Sequence, residues 1–539
     1  MRVRRKYFLV FILFLSTCGI AVAGDTMETS QRKFVLPEKR YGDLFYDVMN
    51  CDSLFGPHRL FLESKMFVDA VPKGNLDSIL TIYHHIPYQE RDRQLGNFLR
   101  SNFVFPVPRE ITNPGSRRDI DSYIKSLWSV LTCGPDKGGG TLIPLKHPYF
   151  IPGGRFREMY YWDSYFSMLG MLCDDEDSLV MDMLDNFADL INEFGFIPNG
   201  TRTYYLGRSQ APFFSFMVED AAKKYGDGIY IKYLPELEKE YRFWMRGKDR
   251  ATSSHPTYLR VVRMKDGELL NRYFDNYDSP REEMYRNDVA VGKELQRKDP
   301  SINVNKLYRN LRAAAESGYD FSSRWMEDGK NLYTIRTTDI VPVDLNCLIY
   351  HLEQILSKAY SLQGNDSLSN QYTLLASSRR KAIDKYFWSS ADGFFKDYVW
   401  TTHRQSVCES LAGIYPLFCH VAESAQAEAV EKTIKDKFLK KGGVITTLYH
   451  TGQQWDAPNG WAPLQWITYK GLKNYGFMRT AEILRCRWMA TCRKVYMQTG
   501  KLLEKYNVER QSDTGGGEYE NQYGFGWTNG VYRAMETDR

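Results

Sequence analysis

The stretch SLVMDMLDNFADLINEF, residues 178–194, carries the fold class in its spacing. Its apolar residues recur at intervals of three and four, which places them on one face of an amphipathic helix. Working outward, segments 235–244, 304–318, 344–362, 367–386, 422–439 and 479–499 follow the same period. Period-two alternation is scarce. Short pieces near 258–264 and 333–337 read as a hairpin or loop strand. Between the helices lie long segments rich in Gly, Pro, Asn and Tyr: 134–165, 195–212, 271–290, 450–465 and 511–530. Loops of that length tend to carry function. About a dozen helices with loops gathered at one end suggest an all-α chain wound as an α/α toroid, with minor β hairpins around a central pocket; the period alone does not separate this from another large helical fold. No Ser- or Pro-rich linker divides it, so residues 24–539 are expected to form a single catalytic domain.

Arg2, Arg4, Arg5 and Lys6 precede the apolar run 8–15, and Ala21-Val22-Ala23 precedes Gly24. This predicts a signal peptide over residues 1–23, cleaved on export, and a periplasmic or secreted protein. Cys18 sits in a poor lipoprotein context. No later segment is apolar enough to cross a bilayer, so no stable membrane association is expected once the signal is removed. The 71 basic and 66 acidic residues come close to balance when the four basic residues of the leader are set aside. That near-neutrality argues against a nucleic-acid partner. Eight cysteines remain beyond Cys18; Cys408 with Cys419 or Cys486 with Cys492 could pair, or all could be free thiols. The histidines form no metal-binding motif. No metal and no cofactor are expected, and no exposed apolar stripe calls for a partner, so a monomer is the expectation.

Two segments concentrate the chemistry. PGGRFREMYYWDSY (152–165) and QWDAPNGWAPLQW (454–466) mix tryptophan and tyrosine with arginine, aspartate and glutamate. Aromatic faces stack on sugar C–H faces while charged groups bind hydroxyls, so the pair suggests one carbohydrate site. Glycosidic hydrolysis needs two carboxyl groups. Asp320, in SGYDFSSRW (317–325), stands among aromatic and small residues; burial there favours the protonated form of a general acid, whereas a simple helix cap is the plain alternative. Glu504, in LLEKYNVE (502–509), reads on its own as a solvated glutamate paired with Lys505. Glu518, after the glycines of DTGGGEY, could bind hydroxyls or serve as base. Asp163 and Asp456 are further candidate hydroxyl binders, and Arg155, Arg208 and Arg281 offer guanidinium forks. GFGWTNG (524–530) lacks the spacing of a nucleotide loop.

Taken together these segments resemble the trehalases, the inverting glycoside hydrolase family that cleaves α,α-trehalose. The first signature matches at Pro152, Gly153, Gly154, Arg155, Phe156, Glu158, Tyr160, Trp162, Asp163 and Tyr165. The second matches at Gln454, Trp455, Asp456, Pro458, Gly460, Trp461 and Pro463. The likeness continues through IPNGTRTYYLGRSQ (197–210), LNRYFDNYDSPRE (270–282), EKYNV and GGGEY. It implies an (α/α)6 toroid and hydrolysis of trehalose to two glucose molecules with inversion. It makes Asp320 the general acid and Glu504 the general base, which overrules the solvated reading of Glu504. It also implies sugar-binding roles for Arg155, Trp162, Asp163, Asn199, Arg208, Ser209, Gln210, Arg281, Glu283, Gly318 and Glu518. An inverting pair should stand roughly 6.5–9.5 Å apart. The chain departs from the family at Arg281-Glu282-Glu283, where Arg-Pro-Glu is usual, which leaves open which glutamate binds. The competing readings are another helical-toroid glycosidase or disaccharide phosphorylase, and a sugar-binding relative without catalysis.

Overall fold

A computed structural model describes residues 34–107, 119–514 and 517–538; the expected leader and Cys18 lie outside them. Six helices form an inner ring: Tyr161–Cys173, Phe214–Tyr225, Val343–Leu362, the single turn Tyr415–Phe418, Ala462–Asn474 and Gly526–Thr537. Each packs on the next, and the last returns to the first. Six outer helices alternate with them along the chain: Ile120–Leu131, Asp177–Phe194, Leu234–Trp244, Asp366–Phe387, Ser424–Thr433 and Met478–Thr499. This is the (α/α)6 toroid.

The outer helices show why the sequence pattern was readable. Asp177–Phe194 buries Leu179, Val180, Met183, Leu184, Phe187, Leu190, Ile191 and Phe194 and turns its aspartates outward. The left-handed Gly195 ends it, as a helix C-terminus favours. The inner helices behave differently. In Tyr161–Cys173 every residue from Tyr161 to Met171 is buried, polar ones included, so no solvent face imposes a period.

Two expectations change in detail. Segment 422–439 is not one regular helix: Ser424–Thr433 opens on a capping box from Glu423 and Gln426, then a π turn covers Ile434–Phe438. Segment 333–337 is not extended; tight helical turns occupy Leu332–Thr334 and Thr337–Asp339. The piece near 258 does form strands, in a three-stranded antiparallel meander of Thr257–Tyr258, Val261–Arg263 and Leu269–Asn271 with Val261 opposite Asn271.

The ring closes where two glycines meet. A Cβ on Gly530 would stand 2.1 Å from the Phe166 carbonyl oxygen, and one on Gly170 would stand 2.7 Å from the Gly530 Cα. Only bare backbones let these two helices approach so closely. An N-terminal layer, built on Tyr41, Phe45, Phe61, Phe67 and Phe103, forms a second apolar cluster that also takes in Tyr160, Tyr204 and Tyr205. It thus packs on the loops at the end of the ring where the inner helices begin. None of the eight described cysteines is disulfide-bonded, so neither suggested pair is formed.

Candidate active site

The loops at that end enclose a cavity onto which the first turns of Tyr161–Cys173 and Gly526–Thr537 open. Its lining includes Asp320, Glu504, Arg155, Trp162, Asp163, Asn199, Arg208, Gln210, Arg281, Glu283, Gly318 and Glu518. Ser209 is the exception. Its hydroxyl donates to the Ile197 carbonyl (2.7 Å) and its N–H to Glu316 (2.8 Å), so it braces the loop from behind. A wider hollow at the far mouth of the ring, between Phe216, His351, Phe418 and Trp466, contains none of these groups.

Asp320 is delivered by the helix Asn305–Ser317, which ends on the left-handed Gly318. The absence of a side chain there is required twice. The backbone has φ +81°, and a Cβ would lie 2.6 Å from the Trp162 ring. Asp320 does not cap the turn that follows; Ser322 does, accepting from the Arg324 N–H. Burial and the nearby Glu518 push the Asp320 carboxyl well above the usual carboxylate range, with Arg281 opposing. The side chain keeps 30% of its surface open, so water in an empty cavity tempers this shift and a bound sugar would strengthen it. The Arg281 guanidinium stands 3.8 Å away and spends its hydrogen bonds elsewhere, on Glu518 (2.7 Å) and Asp288 (2.7 Å).

Glu504 is fully buried, which removes the solvated reading. The strand Lys505–Asn507 that follows it pairs with Asn459–Trp461 of the second tryptophan-rich segment. The Tyr519 hydroxyl donates to one carboxylate oxygen (2.8 Å) and the Lys505 ammonium to the other (3.2 Å). The Trp527 indole N–H donates to the Glu504 carbonyl (2.9 Å).

Around the two carboxyl groups, arginines organise the polar wall. Arg208 donates to Asn199 (2.8 Å), Asp275 (3.2 Å) and Glu283 (2.7 Å). Arg155 forks onto Glu63 (3.0 and 2.6 Å) and lies over the Tyr519 ring at 4.4 Å. The loop 281–284 settles which glutamate faces inward. Glu282 is turned onto Arg312 (2.7 Å). Glu283 lines the cavity, and its second carboxylate oxygen has no hydrogen-bond partner among the described residues. Burial would raise the Glu283 carboxyl, but Arg208, Arg281 and Arg312 outweigh it and hold it below the ordinary range. The missing proline does not loosen the loop, because Arg312 also grips the carbonyls of Ser279 (2.6 Å) and Pro280 (2.8 Å).

The apolar wall is a stack. Trp455 lies flat on Trp461 at 4.0 Å and on Tyr319 at 4.8 Å, with Trp162 at 5.7 Å. Asp456, a candidate hydroxyl binder by sequence, is buried instead. It accepts hydrogen bonds from Ser322, Ser323, Thr447 and Thr451, tying the tryptophan loop to the segment after Asp320. Glu63 and Tyr519 were not singled out from the sequence, and Lys505 was read only as the partner of a solvated Glu504. Glu63 lies outside every motif, and its place depends on a contact made 92 residues away.

A family model described as trehalase matches residues 59–537. The chain belongs to the trehalase family. It is 43% identical over 510 residues to a periplasmic trehalase of Pseudomonas aeruginosa, covering 94% of this chain and 90% of that one. A periplasmic trehalase of Escherichia coli is 42% identical over 527 residues, covering 97% and 90%. Among solved structures, the neutral trehalase Nth1 from Saccharomyces cerevisiae superposes with a TM-score of 0.60 at 26% identity, covering 80% of this chain and 81% of that one. A GH63 mannosylglycerate hydrolase from Thermus thermophilus shares the fold, with a TM-score of 0.50 at 17% identity over 72% and 96% of the two chains. Membership of this family makes the protein a glycoside hydrolase.

Proposed function

We propose that this trehalase-family chain hydrolyses α,α-trehalose to two glucose molecules with inversion, Asp320 acting as general acid and Glu504 as general base. The observation that carries this reading is the contrast between two carboxyl groups in one cavity. Among the described residues Asp320 has no cation in hydrogen-bond contact, and it is pushed toward its protonated form by burial and by Glu518. Glu504 is paired with an ammonium and a phenol. Two carboxyl groups in such different surroundings are suited to opposite tasks.

In this mechanism the Asp320 proton passes to the bridging oxygen as the bond from that oxygen to the attacked anomeric carbon breaks. A water attacks the opposite face of that carbon and gives its proton to Glu504. One glucose leaves with its original α configuration and the other is formed as β. Proton exchange with solvent then restores both groups. Glu283, with its free carboxylate oxygen, and the Arg208–Asn199 pair would hold sugar hydroxyls, while Trp162 and Trp455 supply the apolar wall. Asp163, Gln210, Arg155, Arg281 and Glu518 complete the polar lining. The similarity to bacterial periplasmic trehalases and the leader-like 1–23 support export, with residues 24–539 as a monomeric catalytic domain.

The test is glucose release by Asp320→Asn and Glu504→Gln. Each is expected to lower kcat by about 10²- to 10⁴-fold, the span of general acid–base contributions, with trehalose binding retained. Near-normal turnover by either variant would refute its assignment.

A further inference from the structure

Lys505 is buried, and so are the residues it joins. Its ammonium donates to Glu504 (3.2 Å) and to the side-chain oxygen of Gln454 (3.3 Å). It lies over the rings of Tyr519 and Trp461 at 4.8 and 5.0 Å. The Gln454 amide in turn donates to the Asp320 carbonyl. A continuous chain of bonds therefore runs from the main chain of Asp320 through Gln454 and Lys505 to the carboxylate of Glu504. Among the described residues Glu504 is the one carboxylate paired with this ammonium. A lysine placed wholly out of water needs such a partner, and the partner would be left as an uncompensated buried charge without it.

We propose that Lys505 is a positioning residue for the hydrolysis: its ammonium pairs with the Glu504 carboxylate and, through Gln454, ties that carboxylate to the segment that carries Asp320. The inference rests on the reading of Glu504 as the base. The other ionisable groups facing this carboxylate are Tyr519, which donates to it, and Asp163, whose carboxyl feels its charge. Arg155 and Asp320 act on Tyr519 from beyond it. Of these, only Lys505 is a cation bonded to Glu504. Removing it leaves the Glu504 carboxylate with no cation bonded to it among the described residues, and the loss of a nearby opposite charge disfavours a charged form.

The experiment compares Lys505→Met, Lys505→Arg and Glu504→Gln in the full chain, with kcat and KM for trehalose measured across pH and folding checked by thermal melting. For Lys505→Met the acidic limb of kcat/KM, which reports the base of the free enzyme, is expected to rise by about one pH unit, the lower end of an opposite charge's effect. Its kcat at neutral pH should fall roughly tenfold with KM little changed. Lys505→Arg should return the limb toward its original position. A folded Lys505→Met with an unmoved limb would overturn the role. Should Lys505→Met not fold, Gln454→Met carries the test. It breaks the tie but keeps the ion pair, so kcat is expected to drop while the limb stays in place, and an unchanged kcat overturns the proposal. Glu504→Gln separates the two levels: if it stays active, the base assignment itself fails. If it is inactive and the Lys505→Met limb is unmoved, only the Lys505 role is lost.

Discussion

Asp163 stands on the first turn of an inner helix, buried, in the lining of the cavity. Burial first, and then the charge of Glu504, push its carboxyl from 3.8 to about 8. The folded chain therefore binds this proton more tightly than the unfolded chain does. The associated stability is fully present below about pH 4 and is lost progressively as pH rises to about 8. An Asp163→Asn variant has a neutral amide at this position that cannot ionise. It is expected to melt higher than the parent, by a margin that widens over this window and then levels off. If Asp163 also holds a sugar hydroxyl, kcat/KM at neutral pH should fall roughly 2- to 10-fold, the worth of a hydrogen bond between neutral groups. Melting curves from pH 4 to 9 and trehalose kinetics check both halves. The sequence marked Asp163 because tryptophan and tyrosine surround it. The same logic misplaced Asp456, whose neighbours are also aromatic but whose oxygens are consumed by serine and threonine donors. Local composition cannot separate an aspartate facing a cavity from one facing a loop. Glu63 shows the converse, since nothing near it in sequence reveals that it meets Arg155.

The element that fixes the Asp320 segment is the tryptophan loop, and Asp456 is its pin. Asp456→Asn replaces an acceptor oxygen with an amide NH2 where every partner in the structure donates. A loss of about 1–3 kcal/mol for the unsatisfied groups is expected, seen as a lower melting temperature. A fall in kcat should accompany it, because Ser322 and Ser323 stand just beyond Asp320. An unchanged melting temperature would mean the loop is held by other contacts. Elements differed in how plainly the chain announced them. Outer helices such as Asp366–Phe387 and Met478–Thr499 have one wet face and were readable from their period. Of the inner six, Val343–Leu362 alone was read as a helix. Tyr161–Cys173 and Ala462–Asn474 are buried nearly all round, so their starts were absorbed into the loops that precede them. The five long loops marked in the sequence nevertheless supply Arg155, Asn199, Arg208, Arg281, Glu283, Trp455 and Glu518 to the cavity.

At the scale of the whole molecule, the ring depends on its first and last helices meeting backbone to backbone at Gly170 and Gly530. Gly530→Ala would press a methyl group against the Phe166 carbonyl, and overpacking of that kind costs about 1–3 kcal/mol. A lower melting temperature is expected. So is a loss of kcat/KM, because these helices carry Trp162, Asp163 and Trp527 into the cavity. A Gly→Ala change at the exposed Gly228, where no atom lies within 4 Å of the new Cβ, tests whether crowding rather than substitution itself is responsible. The helical class followed from the period, loop placement suggested the toroid, and the family resemblance implied its six-fold form. Its closure did not, because the contact joins residues far apart in the chain and leaves no periodic trace.

The measurement closest to the centre is the anomeric outcome, read by proton NMR in the first moments after trehalose is mixed with the protein. Inversion at one anomeric carbon is expected to yield α- and β-glucose in equal amounts before mutarotation, with both signals lost in Asp320→Asn and Glu504→Gln. Early release of α-glucose alone would mean retention, and would contradict a water-activating role for Glu504.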